Sequence, residues 1–391
     1  MDKKLKEGVF YVGAGDPDRR LFDELIPLPD GTSYNSYLIK GSNKVALIDT
    51  VDPTKSGTLL NNLEKIGVDK IDFIVANHAE QDHSGSIPVI LKEFPEAKVV
   101  TNSKCKSMLE DLLLIDSNKF KVIEEGDTIS LGDKTLRFII APWVHWPETQ
   151  FTYLVEDKIL FTCDFLGSHY ASGELFVQDK NKTLETAKRY YAEIMMPFAN
   201  IIKKDLEKIE GLDIDIVAPS HGLLYRDYGF IIEAYRDWIS DNSKNEVVIP
   251  FVSMHGSTGK MVEHFSNKLK AMGISVKLFN LTGVDLGELA MSLVDASTVV
   301  LATPTVLAGP HPSAVYAAYL LKALRPKIRH VSLIGSYGWG GKTVETISGL
   351  LSALKVELID PVLIKGYPED KDLALLDKLA DRVEEKHKDL L

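Results

Sequence analysis

The chain has 391 residues, 45% hydrophobic and 26% charged, with 45 Lys and Arg against 56 Asp and Glu for a net charge of −11. That length suits two or three domains with sizeable cores, while the acidic balance and the lack of a basic run interleaved with aromatics argue against a nucleic-acid partner. No run approaches the ~20 apolar residues of a membrane span, the N-terminal MDKKLKEGVFYV has no signal-peptide core, and the two cysteines, Cys105 and Cys163, cannot form a disulfide framework, so a cytoplasmic protein with no membrane partner is expected.

Strand-like apolar runs come first, at 44–51, 71–78, 97–102, 135–145, 152–164 and 213–221, with helical periodicity between some of them, as at 56–67. This half reads as mixed α and β. Four of the runs stop at a metal-capable residue: His78, His145, Asp164 and His221. Glu80, Asp82 and His83, from HAEQDH at 78–83, bring the candidate ligands to four imidazoles and three carboxylates. One histidine after an apolar run is usually structural, whereas seven such residues clustered at strand ends indicate a metal centre. A hard carboxylate at Glu80, among imidazoles, favours iron over zinc. Three carboxylates against a ferrous pair, with a bridging hydroxide, make a neutral site that is cheap to bury.

The polar stretch SDNSKNE, 240–246, marks a change of rhythm and the expected domain boundary. Beyond it strands and helices alternate strictly: strand 247–253, helix 260–272, strand 275–281, helix 285–296, strand 298–303, helix 313–324, strand 330–336, helix 342–355, strand 356–366 and helix 369–388. Five βα units predict a doubly wound parallel sheet. Its first strand runs into SMHGSTGK, 253–260, a small hydroxyl-rich loop opening a helix, and such a loop is an anion site. It is neither a dinucleotide fingerprint nor a Walker A loop, since Met254 stands at the first glycine's place and Met261 follows Lys260. Two more loops, 303–312 and 335–341, follow the third and fourth strands, the latter carrying Tyr337 and Trp339 among glycines. Aromatics above a phosphate loop suit a flat ring, and FMN is the expected ligand.

In order along the chain, HAEQDH, HWPET (145–149), CDFLGSHYAS (163–172), PSHG (219–222), SMHGST and GSYGWGG give it a resemblance, over nearly all its length, to the flavodiiron proteins, also called A-type flavoproteins. H-x-E-x-D-H resembles the H-x-H-x-D-H of the metallo-β-lactamase fold, with Glu80 at the second histidine. The resemblance implies an N-terminal metallo-β-lactamase-like αββα sandwich, 1–245, followed by a C-terminal flavodoxin-like doubly wound parallel sheet, 246–391, an α+β and an α/β unit in turn. It implies that His78, Glu80 and His145 bind one iron, that Asp82, His83 and His221 bind the other, and that Asp164 bridges them. FMN would be held by Ser253, Met254, His255, Gly256, Ser257 and Thr258, by Thr303, Pro304, Thr305 and Val306, and by Ser336, Tyr337, Gly338, Trp339 and Gly340. The implied enzyme reduces O2 to water, NO to N2O or both, with electrons passed through FMN from an external donor such as rubredoxin, in a head-to-tail homodimer or a dimer of dimers.

The chain departs from the family at three places. Ser257-Thr258 stands for a usual Asn-Thr, His255 for a common Tyr or Trp, and Phe22-Asp23 for a Phe-His pair. The last removes a histidine from the pocket and leaves His169 as the candidate catalytic residue behind the metals. Two rival readings are a dinuclear zinc hydrolase with a flavodoxin appendage, against which Glu80 counts, and a non-catalytic electron carrier or diatomic sensor, against which the full ligand set counts.

Overall fold

The apolar runs of the first half form two sheets, because their residues are buried on alternate sides. In the strands Val45–Ile48 and Phe73–Val75, Ala46, Ile48, Phe73 and Val75 join the core shared with the second sheet, while Leu47 and Ile74 join the core beneath the helices. Burial on both faces makes the runs nearly continuous in apolar residues. The computed structural model describes residues 3–390. It divides into one unit of Met1–Tyr191 and Phe198–Arg236 and another of Ala192–Pro197 and Asp237–Leu391.

In the first unit, a sheet of seven strands runs, edge to edge, Lys4–Lys6, Val9–Tyr11, Tyr37–Lys40, Val45–Ile48, Phe73–Val75, Lys98–Asn102 and Phe120–Ile123. Its last four strands are mutually parallel. The helices Ser56–Lys65, Ile87–Glu93 and Ser103–Leu113 cover one face through Leu59, Leu63, Ile87, Ile90, Cys105 and Leu109. A second, five-stranded sheet, Thr128–Ser130, Thr135–Ile140, Gln150–Leu154, Ile159–Cys163 and Ile216–Pro219, packs on the other face through Leu136, Phe138, Leu154, Ile159, Phe161 and Ile216. Each of these fully buried side chains contributes about 1.5–3 kcal/mol. Ile159–Cys163 is parallel to Ile216–Pro219, and two antiparallel steps separate it from Thr135–Ile140, so all three strands end on the same edge.

The sequence expectations need correcting at several points. The run 152–164 is a hairpin, not one strand: Gln150–Leu154 and Ile159–Cys163 pair antiparallel about a charged turn in which Lys158 has φ +54°. The run 356–366 is likewise two pieces, Glu357–Leu358 and Val362–Lys365, divided at Asp360-Pro361, because proline cannot donate to a ladder. Seven short strands between Lys4 and Lys40, each two to four residues long, had no counterpart in the sequence reading.

In the second unit the parallel strands lie in the order Ser275–Asn280, Lys244–Phe251, Ala296–Val306 and His330–Tyr337, followed by the two short pieces that share the last edge. This is the doubly wound arrangement, with a switch point between Lys244–Phe251 and Ala296–Val306. One face packs on helices Ser257–Ala271 and Asp370–His387 through Met261, Phe265, Leu269, Leu376, Leu379 and Val383. Among the described residues no helix is long and apolar enough to cross a membrane.

The early strands clamp the loop that carries His221. Buried Asn35 donates from Nδ2 to the carbonyls of Pro219 at 2.8 Å and Gly222 at 2.9 Å, its own N–H donates to the carbonyl of Ser220 at 2.8 Å, and the Tyr37 hydroxyl donates to Pro219 at 2.6 Å. Asn35→Ala strands the Gly222 carbonyl and leaves that of Pro219 to Tyr37 alone, and a loss of about 1–3 kcal/mol in unfolding free energy is expected in a urea titration. A loss below about half a kcal/mol would show that the clamp is dispensable.

Candidate metal centre

Strand polarity brings the candidate ligands together. His78 lies just beyond Phe73–Val75, Asp164 directly follows Ile159–Cys163, and His221 lies two residues past Ile216–Pro219. Glu80 immediately precedes the short helix Gln81–Ser84, which presents Asp82 and His83 in its first turn. All but Glu80 and His145 are essentially buried, and the side chains of those two are 12% and 13% exposed, so the pocket opens on their side.

The side chains form two groups that share one carboxylate. In the first, His78 Nε2 lies 3.0 Å from Glu80 Oε2 and 3.5 Å from Asp164 Oδ2, and His145 Nε2 lies 3.2 Å and 3.4 Å from the same two oxygens. In the second, His83 Nε2 is 2.9 Å from Asp164 Oδ1 and 3.3 Å from Asp82 Oδ1, and His221 Nε2 is 3.0 Å from Asp82 Oδ2 and 3.5 Å from Asp164 Oδ1. Asp164 thus turns one oxygen to each group. Cys163 is also near His83 and Asp164, but burial and the charge of Asp164 hold its thiol well above the usual range, so it is a neutral neighbour.

Several of these buried atoms, both oxygens of Asp82 and of Asp164 and Nε2 of His83 and His221, make no hydrogen bond. Buried acceptors turned on one another without donors are costly, and a cation between them removes the cost. The imidazoles are oriented for this. His221 Nδ1–H donates to the Ser33 carbonyl at 2.6 Å and His78 Nδ1–H to Glu148 Oε1 at 2.8 Å, leaving each Nε2 lone pair facing the pocket. Two metal ions fit this donor set, and its carboxylates suit iron.

Charge in the metal-free pocket follows from the pairing. Burial disfavours every ion there. The paired carboxylates nevertheless outweigh it for His83 and His145, each raised to about 9, by Asp164 and Asp82 for the first and by Asp164 and Glu80 for the second. His78 is raised well above the usual histidine range, against burial, by Glu148 and Glu80. Burial likewise opposes ionisation of Glu80 and Asp164, yet imidazoles hold both below the usual carboxylate range, His145 and His78 for Glu80, and His83 and His145 for Asp164.

His169 sits behind the second group. It is buried, with Nδ1 2.9 Å from Thr32 Oγ1 and its ring 4.9 Å from that of His221, 4.7 Å from Phe22 and 4.8 Å from Tyr190. Burial and then the charge of His221 hold it well below the usual histidine range, so it is neutral. Asp23, at the tip of the hairpin Leu21–Phe22 and Ile26–Pro27, has a left-handed backbone with φ +49°. Partial burial of its carboxyl and then the charges of Glu80 and Asp82 push it up to about 6, so the hairpin brings it within electrostatic reach of the pocket. Nothing in HWPET marks Glu148 as a functional residue, because its contact with His78, 70 residues away, leaves no local signal.

In the second unit a cleft is lined by Met254, His255, Ser257, Thr258, Pro304, Thr305, Ser336, Tyr337, Gly338 and Gly366. Gly256, with φ +90°, caps the helix that begins at Ser257, three residues earlier than the sequence suggested, so Ser257 and Thr258 occupy its first turn. Thr258 Oγ1 lies 3.0 Å from Ser336 Oγ. Ser253 and Thr303 do not line the cleft: the Ser253 hydroxyl accepts from Gly259 N–H, and the Thr303 hydroxyl accepts from His311 N–H. Gly256, Val306 and Gly340 also lie outside the lining, and Trp339, likewise outside it, projects into solvent at 65% exposure. Gly366, outside the three loops expected from the sequence, also lines the cleft. A helix start beside the cleft and open space about Gly256 and Gly338 fit a phosphate-bearing planar ligand.

Residues 32–222 match the model of a family described as ODP family beta lactamase. The chain is similar to a nitric oxide reductase of Moorella thermoacetica, 36% identical over 379 residues with 94% of each chain covered. It is 32% identical over 387 residues to flavo-diiron protein FprA2 of Clostridium acetobutylicum, covering 95% of this chain and 96% of that one. The solved structure of rubredoxin oxygen:oxidoreductase from the anaerobe Desulfovibrio gigas superposes with a TM-score of 0.96 at 28% identity, over 100% of this chain and 99% of that one.

The raised histidines fix a pH dependence. His83 and His145 hold protons up to about 9, above the 6.5 of an ordinary histidine. Their pairing therefore stabilises the metal-free fold fully below about 6.5 and fades as pH rises through about 9. An incoming metal ion must displace these protons. The gain in melting temperature on anaerobic addition of ferrous iron should grow between about pH 6.5 and pH 8, with protons released into a weak buffer. A gain that shrinks over that range would contradict this charge assignment.

Proposed function

Because this chain belongs to the flavodiiron, or A-type flavoprotein, family, we propose that it is an oxidoreductase reducing O2 to water, NO to N2O or both, at a non-heme diiron site supplied through FMN by an external, rubredoxin-like donor. The observation that carries this reading is the division of Asp164 between the two ligand groups, Oδ2 to one and Oδ1 to the other. A carboxylate placed that way suits a pair of cations about one small substrate. On this reading residues 1–245 hold the irons through His78, Glu80, His145, Asp82, His83, His221 and the shared Asp164, and residues 246–391 hold the flavin. Glu80 in the first group counts against a dinuclear zinc hydrolase.

When bound, the irons supply electrons and Lewis acidity to a diatomic gas and the flavin supplies electrons one at a time or in pairs. The chain's own residues supply the rest. The partly exposed Glu80 and His145 leave the entry for a diatomic molecule. Phe22, Tyr190 and His169 wall the opposite side with buried rings and exclude water there. Thr32 Oγ1, 2.9 Å from His169 Nδ1 and 3.4 Å from His221 Nδ1, links the two imidazoles, so the neutral His169 is tied by hydrogen bond to the group behind the site. In the flavin cleft, the amides at Ser257 and Thr258 suit the phosphate, and Tyr337 and the glycines beside it suit the ring. Leu307 and Trp339, 86% and 65% exposed beside that cleft, are apolar surface that a second copy of the chain would cover, in a head-to-tail homodimer or dimer of dimers.

Anaerobically loaded protein is expected to carry two irons and one FMN per chain and to reduce O2 or NO with chemically reduced rubredoxin. Asp164→Ala should lose iron and turnover together while the flavin spectrum stays normal; unchanged turnover would end the shared-carboxylate assignment. Sedimentation under assay conditions tests the assembly separately. A fully active species of 43.4 kDa, the mass of one chain, would rule out the dimer.

A further inference from the structure

The four ligand imidazoles are not supported alike. His221 leans on a neutral main-chain carbonyl, that of Ser33 at 2.6 Å. His78 leans on a carboxylate: its Nδ1 lies 2.8 Å from Glu148 Oε1, and the same oxygen accepts the N–H of Ala79 at 2.9 Å. Glu148 is 1% exposed, so solvent does not screen this pair. Its backbone is also fixed. The Glu148 carbonyl accepts from Asn102 Nδ2 at 2.7 Å, and Asn102 Oδ1 in turn caps the helix Ser103–Leu113 by accepting from Lys104 and Cys105. Trp146 stands edge-on to the His78 ring at 4.9 Å, which leaves that ring one orientation. Nothing in solvent competes for the Glu148 carboxylate.

We propose that Glu148 is a positioning residue of the diiron site, which fixes His78 in its ligating tautomer and, by its negative charge, makes that imidazole a stronger donor that favours the oxidised state of the iron it holds. This rests on the functional reading above, because it requires iron at His78. The physical basis is general. A carboxylate accepting from the far nitrogen of a ligating imidazole increases the electron density at the near one, and a buried anion stabilises the higher metal charge. The site's buried charge therefore exceeds the three carboxylates counted from the sequence. It leans toward the ferric form, which is the direction required of a centre that must give electrons away.

Glu148→Gln separates charge from shape, since the amide oxygen can still accept from His78 Nδ1–H and Ala79 N–H. Wild type and variant are loaded with ferrous iron anaerobically, challenged with a chelator, and followed by EPR through a redox titration, with circular dichroism of the metal-free chains as the control for folding. The variant is expected to fold normally, to hold iron about 10- to 100-fold more weakly, and to show a midpoint potential shifted upward. Glu148→Asp, one methylene short of His78, should keep the charge yet fail to restore iron retention. A Glu148→Gln protein with wild-type iron retention and potential overturns the inference and leaves the functional reading standing. Wild-type protein that takes up no iron overturns both.

Discussion

The structure is organised around one electrostatic problem, the burial of three carboxylates whose lone pairs are aimed at one another and at the Nε2 atoms of four histidines. Left to itself such a pocket is held together by protons on the imidazoles, which is why His83 and His145 are raised to about 9. Metal ions do the same work with more charge and more direction. Much of the first unit can be understood as the scaffold for that exchange. Parallel strands deliver ligands to one edge, Asn35 pins the His221 loop, and Ser33 and Glu148 turn two imidazoles toward the centre.

On the proposed reading the second unit faces a different requirement, to approach an anion with backbone amides instead of side chains. A left-handed Gly256 opens the helix early enough to place Ser257 and Thr258 in its first turn. The replacement of a usual Asn by Ser257 keeps a small polar residue at that turn and leaves the amides in place. His255 lines the same cleft, so that departure from the family bears on the surroundings of the proposed flavin and not on the fold.

What was legible in the sequence had a local signature. The cluster HAEQDH and the apolar runs ending at His145, Asp164 and His221 announced a centre, and the structure gathers all seven residues. The βα alternation after residue 246 announced the parallel sheet because each strand there is long enough to show its pattern. The strands between Lys4 and Lys40 are too short for any period: they pair with one another and with Val45–Ile48, and Asn35, between two of them, is tied to Pro219 and Gly222 across a separation that no local pattern records. Glu148 was invisible for a related reason, since only the fold reveals that it faces His78, 70 residues earlier. Ser253 and Thr303 show the converse: a motif places residues near a ligand, while their hydroxyls are engaged in holding the loop.

The residue before the shared carboxylate, Cys163, has φ +51°, and Asp49, at the end of Val45–Ile48, has φ +52°. Such conformations cost a non-glycine residue about 1 kcal/mol or more and persist because the surrounding structure over-determines them. Here strand pairing fixes the backbone up to Cys163, and the Ser220 amide donates to its carbonyl at 2.7 Å. The direction in which the Asp164 side chain leaves the backbone is therefore set by the paired main chain. Main-chain twist locked between paired strands does not relax on the nanosecond scale of a free side chain. An emptied site would keep its shape, and metal could leave and return to the same slot without the protein having to fold around it again, as in a socket rather than a clasp.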